Sequence, residues 1–201
     1  MGLGTPPLVF GHETAGVIVK TGAGVSDWSI GDRVAVFHHV PCRSCYYCAN
    51  GAYAQCPQYK KTGTVAAFEP AGGGFAQYVL VKDWIVADGM VRLPNEATFD
   101  EAALLEPLST CLKAVRKCGV KDGMDVVVIG QGPIGLMFTG LLTYSGARVV
   151  AVEPRADRAA VAHRFGAAVV VPPEHYAISR EVLAATNERG ADAVVVTVPA
   201  V

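Results

Sequence analysis

Residues 126–135 read VVVIGQGPIG, and the order of those ten residues decides what the second half of the chain can be. A β-branched apolar run comes first, then the spacing Gly130-x-Gly132-x-x-Gly135, then an apolar helical stretch, PIGLMFTGLLTYSG. Alone, G-x-G-x-x-G is a weak motif. Here it follows a strand and opens a helix, and Glu153 stands 18 residues past Gly135 at the end of the next strand-like run, RVVAVE. That context is what a dinucleotide-binding turn requires. Gly130 permits the tight turn, Gly132 lets the backbone approach a pyrophosphate, and Gly135 lets helix and strand pack closely. Pro133 and Ile134, between the second and third glycines, belong to the same cofactor-binding set. The unpaired N–H groups at the helix start favour phosphate. Glu153 can accept hydrogen bonds from ribose hydroxyls, which favours NAD, while Arg155 and Arg158 close behind keep NADP open.

Beyond this turn, DRAAVAHRFG reads as a helix, AAVVV as a strand, SREVLAATNERG as a helix and DAVVVTV as a fourth strand. Apolar strands alternating with amphipathic helices specify a parallel sheet covered on both faces, an α/β doubly wound architecture of about four strands. Residues 126–147 carry no charge and are long enough to imitate a membrane span, but their glycines and Pro133 argue for strand, turn and buried helix instead. The preceding half is β-rich, with strands expected over 15–21, 32–37, 74–82, 84–87 and 90–93. Helices are expected over 99–105 and 108–117, separated by a break at Pro107. The boundary is drawn there, giving domains 1–107 and 108–201.

The 201 residues are 51% hydrophobic with a net charge of −1. This supplies a core but no basic footprint for nucleic acid. The N-terminus lacks a charged region followed by an apolar one, so no secretory signal is expected. Six cysteines without such a signal fit a reducing, cytoplasmic setting. Four of them, in CRSCYYCANGAYAQC, are spaced C-x2-C-x2-C-x7-C as Cys42, Cys45, Cys48 and Cys56. Such chelating spacing suits a structural zinc ion closed by four thiolates. An iron–sulfur cluster, disulfides and unliganded thiols are the rival readings. Cys111 and Cys118 read as small buried apolar residues. His12 and Glu13, in GHETAG at 11–16, are adjacent candidate metal ligands just ahead of a strand. His38 and His39 read as loop residues, His163 and His175 as surface residues on helices, and Tyr46 and Tyr47 as packing for the cysteine lobe.

Taken together, GHETAGVIV, GDRV, the cysteine lobe, LLEPLSTCLKAV and VVVIGQGPIGL resemble the zinc-dependent medium-chain dehydrogenase/reductase family, and EPLST most resembles its sorbitol (polyol) dehydrogenase branch. The resemblance implies a partial GroES-like β-barrel catalytic domain and a partial Rossmann domain, with an active site in the cleft between them. It implies a structural zinc on the four cysteines. It also implies a catalytic zinc at which His12 is a ligand, Glu13 a direct or near ligand, and Glu106 a ligand or the holder of zinc-bound water. Thr110 would lie against the nicotinamide. The activity implied is hydride transfer between an alcohol or polyol, a secondary alcohol, and NAD, by a full-length form that is a homo-oligomer. An L-threonine-type or other secondary-alcohol dehydrogenase is the alternative substrate class, and a non-catalytic zinc- and nucleotide-binding remnant the alternative of a different kind.

Three departures bear on this expectation. The family's upstream cysteine ligand has no counterpart, because eleven residues precede His12 and none is Cys. The proton-relay hydroxyl that follows that cysteine is absent with it. The chain stops after four strands where the doubly wound order calls for six, leaving DAVVVTV as an apolar edge. The sequence therefore predicts a chain cut at both ends, holding about one zinc ion and having little or no turnover. Arg43, where the family often has glycine, is a lesser departure.

Overall fold

Antiparallel strands can be joined by short returns, whereas parallel strands need a crossover, and the two halves of this chain use one solution each. The structure, a computed structural model, describes residues 11–38, 40–59, 73–173 and 175–199. These fall into two units that divide between Glu106 and Pro107.

In the first unit, β1 (Thr14–Val17), β2 (Arg33–Val36) and β3 (Met90–Arg92) form an antiparallel sheet in that order. The register sets Thr14 opposite Val36, Val17 opposite Arg33, and Val36 opposite Met90. Ala35 of β2, Leu93, and Ala102 of α3 (Phe99–Ala103) form a small core, with Ala15 and Leu105 packed against it. Arg33 fastens the connection into α3: its guanidinium donates to the carbonyls of Pro94 at 3.0 Å and Asn95 at 2.8 Å, and to that of Ala97. The same group lies 4.8 Å from the Phe99 ring centroid, a cation–π contact. Thr98 then opens α3 with a capping box, accepting from Glu101 N at 3.2 Å while Glu101 accepts from Thr98 N at 2.8 Å. Leu104 separates α3 from α4 (Leu105–Lys117).

In the second unit, β4 (Asp125–Ile129), β5 (Arg148–Val152), β6 (Val169–Val171) and β7 (Ala193–Val196) form a parallel sheet in the order β6-β5-β4-β7. The crossovers are α5 (Pro133–Tyr144), α6 (Ala156–Arg164) and α7 (His175–Ala185). Strand β4 is buried on both faces. Val126 and Val128 pack with Val115, Leu142 and Val149, while Val127 packs with Val150, Val152, Val171 and Val182. At the opposite end of β4 from the glycine turn, buried Asp125 pairs with Arg189 at 2.8 Å and Arg148 at 3.4 Å, and its N–H donates to Asp192 at 2.8 Å. This fastens β4 to its neighbours. The chain is thus α/β, with an antiparallel GroES-like part and a parallel Rossmann-like part. The uncharged run 126–147 is strand, turn and helix, and no helix among the described residues is long and apolar enough to cross a membrane.

Three expectations from sequence differ from the structure. Residues 84–87 lie in a helix, α2 (Asp83–Asp88), and not in a strand. A four-residue apolar run does not distinguish the two, and Asp83 at the helix start tips the balance. Residues 74–82 form no strand, and Phe75, Tyr78 and Leu80 are exposed. Pro107 does not break the helix, because it occupies the first turn of α4, where no intrahelical N–H donor is needed. In β7, the last of the four strands in the sheet order, Val194 and Val196 are exposed.

Thr98→Ala removes the cap of α3 and is expected to cost about 0.5–2 kcal/mol of stability by denaturant titration. The hydrogen bonds from Thr98 lower the Glu101 pKa. A lowered carboxyl pKa stabilises the fold above the ordinary glutamate range, and that contribution disappears as pH falls through the lowered value. The difference between wild type and Thr98→Ala should therefore shrink in acid.

Candidate functional site

Among the described residues, two groups of metal-ligating side chains gather in the first unit: His12 with His38 and Glu106, and the four cysteines of the lobe. His12 precedes β1 and His38 follows β2. Continuing their register two residues past the Thr14–Val36 pair sets 12 opposite 38. The two rings meet with centroids 4.4 Å apart at 59°. Glu106 enters from the first turn of α4, its Oε2 lying 3.8 Å from His12 Nε2. One ligand atom from each of the three lies within 4.8 Å of the others. Two imidazole nitrogens and a carboxylate oxygen form a donor set suited to zinc.

Burial raises the pKa of Glu106 first of all; the His12 charge opposes this and Glu13 adds to it. The Tyr59 phenol is likewise raised, by burial and then by the Glu106 charge. Sequence reasoning missed both His38 and Tyr59. His38 lies in the bend after β2, as its reading as a loop residue expects, but it is buried. Glu13 is exposed and lies outside the cluster. His39 lies outside the described residues.

In the lobe, α1 (Tyr46–Ala49) carries Cys48 and has Cys45 as its N-cap, and a 3₁₀ turn (Tyr53–Gln55) returns the chain to Cys56. The Sγ separations are 3.6 Å for Cys45–Cys48, 3.6 Å for Cys56–Cys42 and 4.0 Å for Cys42–Cys48. A tetrahedron with zinc–sulfur bonds of about 2.3 Å has edges of about 3.8 Å. Disulfide sulfurs would stand about 2.05 Å apart, and all four cysteines are free. Hydrogen bonding from Ser44 lowers the Cys42 thiol to about 6, and burial raises Cys48 to about 12. Arg43 has a φ of 56°, a backbone region glycine enters at no steric cost, and ion-pairs with Asp88 at 3.0 Å. Tyr46 and Tyr47 meet edge-on at 5.7 Å and are exposed, so they do not fill the lobe. Cys111 is buried as expected, whereas Cys118 is exposed.

In the second unit the three glycines do three different things. Gly130 has φ +91°, and a Cβ there would stand 2.6 Å from Val198 Cγ1. A Cβ on Gly135 would stand 1.9 Å from the Gly130 carbonyl oxygen. A Cβ on Gly132 would meet only Arg158 Nη1, at 4.0 Å, so the protein itself does not require glycine there. The cradle at Gly132 opens outward, at the N-cap of α5, with Pro133 in the first turn and Ile134 exposed beside it. Beneath the turn, fully buried Gln131 donates from its side chain to Val128 O at 3.2 Å and accepts from Thr139 Oγ1 at 2.9 Å.

Glu153 accepts from Gln131 N at 2.8 Å and from Arg155 N at 3.0 Å, joining the turn to the end of β5. The Arg155 guanidinium is held by Asp157 in a fork of 3.1 and 2.9 Å. Thr110 is exposed on α4. Strand order reverses between β4 and β7, and the glycine turn follows β4 at that switch point, where doubly wound sheets take their ligands.

Residues 2–94 match the model of the alcohol dehydrogenase GroES-like domain, and residues 133–201 that of the zinc-binding dehydrogenase domain. The chain is 35% identical to a probable D-xylulose reductase A of Aspergillus terreus and 32% identical to a sorbitol dehydrogenase of Bacillus subtilis, each match covering 92% of this chain and 51% of the relative. It superposes on the crystal structure of 2R,3R-butanediol dehydrogenase from Bacillus subtilis with a TM-score of 0.77 at 32% identity, covering 96% of this chain and 52% of that one. The chain belongs to the zinc-dependent alcohol dehydrogenase family and spans about half the length of the curated relatives it matches.

Gly135→Ala drives a methyl group into the Gly130 carbonyl and is expected to destabilise the second unit strongly, lowering its thermal midpoint by more than about 10 °C. Gly132→Ala meets open space and should stay within about 1 kcal/mol of wild type in the same thermal scan.

Proposed function

We propose that this chain is part of a zinc- and NAD-dependent oxidoreductase that passes hydride between a secondary alcohol, of the polyol class, and the nicotinamide. The observation that carries the reading is the convergence of His12 and Glu106, distant in sequence, on one nitrogen–oxygen cluster. The names of the relatives point to polyols, although fold and family do not by themselves fix a substrate. Bound zinc supplies a Lewis acid that lowers the pKa of a coordinated alcohol, and bound nicotinamide supplies the hydride acceptor.

The chain's own residues do the remaining work. His12 offers a ring nitrogen and Glu106 a carboxylate oxygen to the metal. Glu13, exposed and negative, raises the proton affinity of Glu106 from outside. Cys42, Cys45, Cys48 and Cys56 close around a structural zinc and leave no position for substrate. Gly130, Gly132 and Gly135 shape the pyrophosphate cradle, Pro133 starts the helix whose N–H groups face it, and Ile134 offers an apolar contact to the cofactor. Thr110 is assigned to the nicotinamide on the family resemblance.

Glu153 keeps lone pairs free for the ribose hydroxyls after accepting its two backbone N–H bonds. The fork that commits Arg155 to Asp157, together with the negative charge of Glu153, disfavours a 2′-phosphate, so NAD is preferred to NADP. Arg158, close to Gly132, is assigned to the phosphate side of the cofactor. Free thiols throughout support a reducing, cytoplasmic setting.

The full chain should bind NADH more tightly than NADPH in fluorescence titration. Gly132→Val, which fills the cradle, should weaken NADH by about tenfold or more, at an unchanged thermal midpoint. Equal binding of NADH by wild type and Gly132→Val would defeat the cofactor assignment.

Chelation under reducing conditions should deprotect the amides of residues 42–56 ahead of the β1–β2–β3 sheet in hydrogen exchange, because the lobe has little apolar core of its own. An unchanged exchange pattern in a metal-free chain would count against the structural zinc. NAD⁺ reduction across a polyol panel, with the zinc-loaded chain joined to the remainder of a full-length relative, tests the activity itself.

A further inference from the structure

We infer that His38 is a metal ligand, so that the nitrogen–oxygen centre of this chain is His12, His38 and Glu106, with Glu13 acting on it through charge alone. The inference deepens the proposed function and rests on it for the choice of metal. Nothing in the spacing of the sequence links His38 to His12 or Glu106, which lie 26 and 68 residues away along the chain. The antiparallel ladder supplies what the spacing lacks. Thr14 pairs with Val36, and carrying that register outward by two residues places His38 across from His12. The ring contact at 4.4 Å follows from that placement.

Distance and burial agree with the register. One ligand atom from each of His12, His38 and Glu106 lies within 4.8 Å of the other two, and the His12–Glu106 pair is already at 3.8 Å. Nitrogen and oxygen ligands at about 2.0–2.1 Å from a tetrahedral zinc stand about 3.4 Å apart, so contraction of the separations by up to about 1.4 Å closes the set. His38 is only 5% exposed, whereas Glu13 is exposed. Among the described residues the donors are two imidazoles and one carboxylate, three of the four that a tetrahedral zinc takes. The departure from the family resemblance is specific: the glutamate next to the first histidine moves out of the ligand set, and a histidine from the end of β2 takes its place.

The test is cobalt uptake by the full chain, freed of metal under reducing conditions and titrated with Co²⁺. Cobalt on the four thiolates gives intense sulfur-to-metal charge transfer, and cobalt on nitrogen and oxygen adds only weaker visible bands. Wild type should take up two equivalents. His38→Ala should weaken the second equivalent by more than about a hundredfold, beyond the roughly 10–100-fold that loss of an outer partner costs, while the thiolate band persists, and Glu13→Gln should weaken it by less.

His38→Cys keeps a ligand at the position. It should retain the second equivalent and add new charge-transfer intensity, a signature that a merely structural histidine would not produce. Because that variant reports by a gained band, it decides the matter even if His38→Ala fails to fold. Two equivalents in wild type with an unaltered second site in His38→Ala, or His38→Cys without added thiolate intensity, overturns the role of His38. A wild-type chain that takes up cobalt on the thiolates alone overturns the nitrogen–oxygen centre, and with it the proposed function.

Discussion

A ladder that pairs Thr14 with Val36 and Ala15 with Ala35, carried two residues past its end, brings residue 38 opposite residue 12, where the two rings meet. A slip of one residue would turn every side chain of β1 to the other face, and the small core of Ala15, Ala35, Leu93 and Ala102 would be lost with it. The packing that holds the strands in register is therefore the same packing that brings His12 and His38 together. Glu106 depends on that core as well. It sits one residue past Leu105, which packs against the cluster, and its approach is fixed by α3, held by the Thr98 cap and by Arg33. A cluster of three metal-ligating side chains from distant segments thus follows from one short sheet and the helix packed on it.

The second unit reaches its site by a different constraint, close backbone approach. The Gly135–Gly130 contact pulls α5 against the end of β4, and Thr197 Oγ1 donates within 3.0 Å of both the Ile129 and Gly130 carbonyls. Gln131 fills the space beneath with a side chain whose amide is satisfied on both ends, as a buried amide must be. Glu153 then joins the turn to β5 through backbone N–H groups. With its neighbours so fastened, Gly132 is the position in the motif with open space before it. Of the three glycines, its identity is explained by a ligand more readily than by the fold.

These differences account for what the sequence made legible. The parallel sheet could be read because its strands are continuous apolar runs separated by amphipathic helices, and each signal is long enough to be unambiguous. The cysteine lobe could be read because chelating spacing is local. The first unit's irregular parts could not. DWIVAD is too short to show a period, and residues 74–82 alternate without forming a strand. Pro107 was mistaken for a break because position within a helix, and not its presence, decides what proline does. His38 was missed for a subtler reason: its relation to His12 exists only through a strand register, which spacing along the chain does not display.

The two ligand groups of the first unit also differ in a way that assigns them different work on the proposed reading. Cys48 and Cys56 are buried and the four sulfurs close on one another, so a soft metal there is saturated and its binding energy goes into ordering a loop that has almost no apolar core. At the nitrogen–oxygen cluster, the His12 and Glu106 side chains remain 32% and 18% exposed, and the described residues bring three donors together. Burial makes the Glu106 carboxyl harder to ionise in the metal-free chain. A dication beside it reverses that preference, so metal binding and ionisation of Glu106 reinforce each other. The same burial that is unfavourable for the bare carboxylate strengthens its attraction to the ion, because the low local dielectric acts on both. On that reading, the position of Glu106 couples its ionisation to the arrival of the ion.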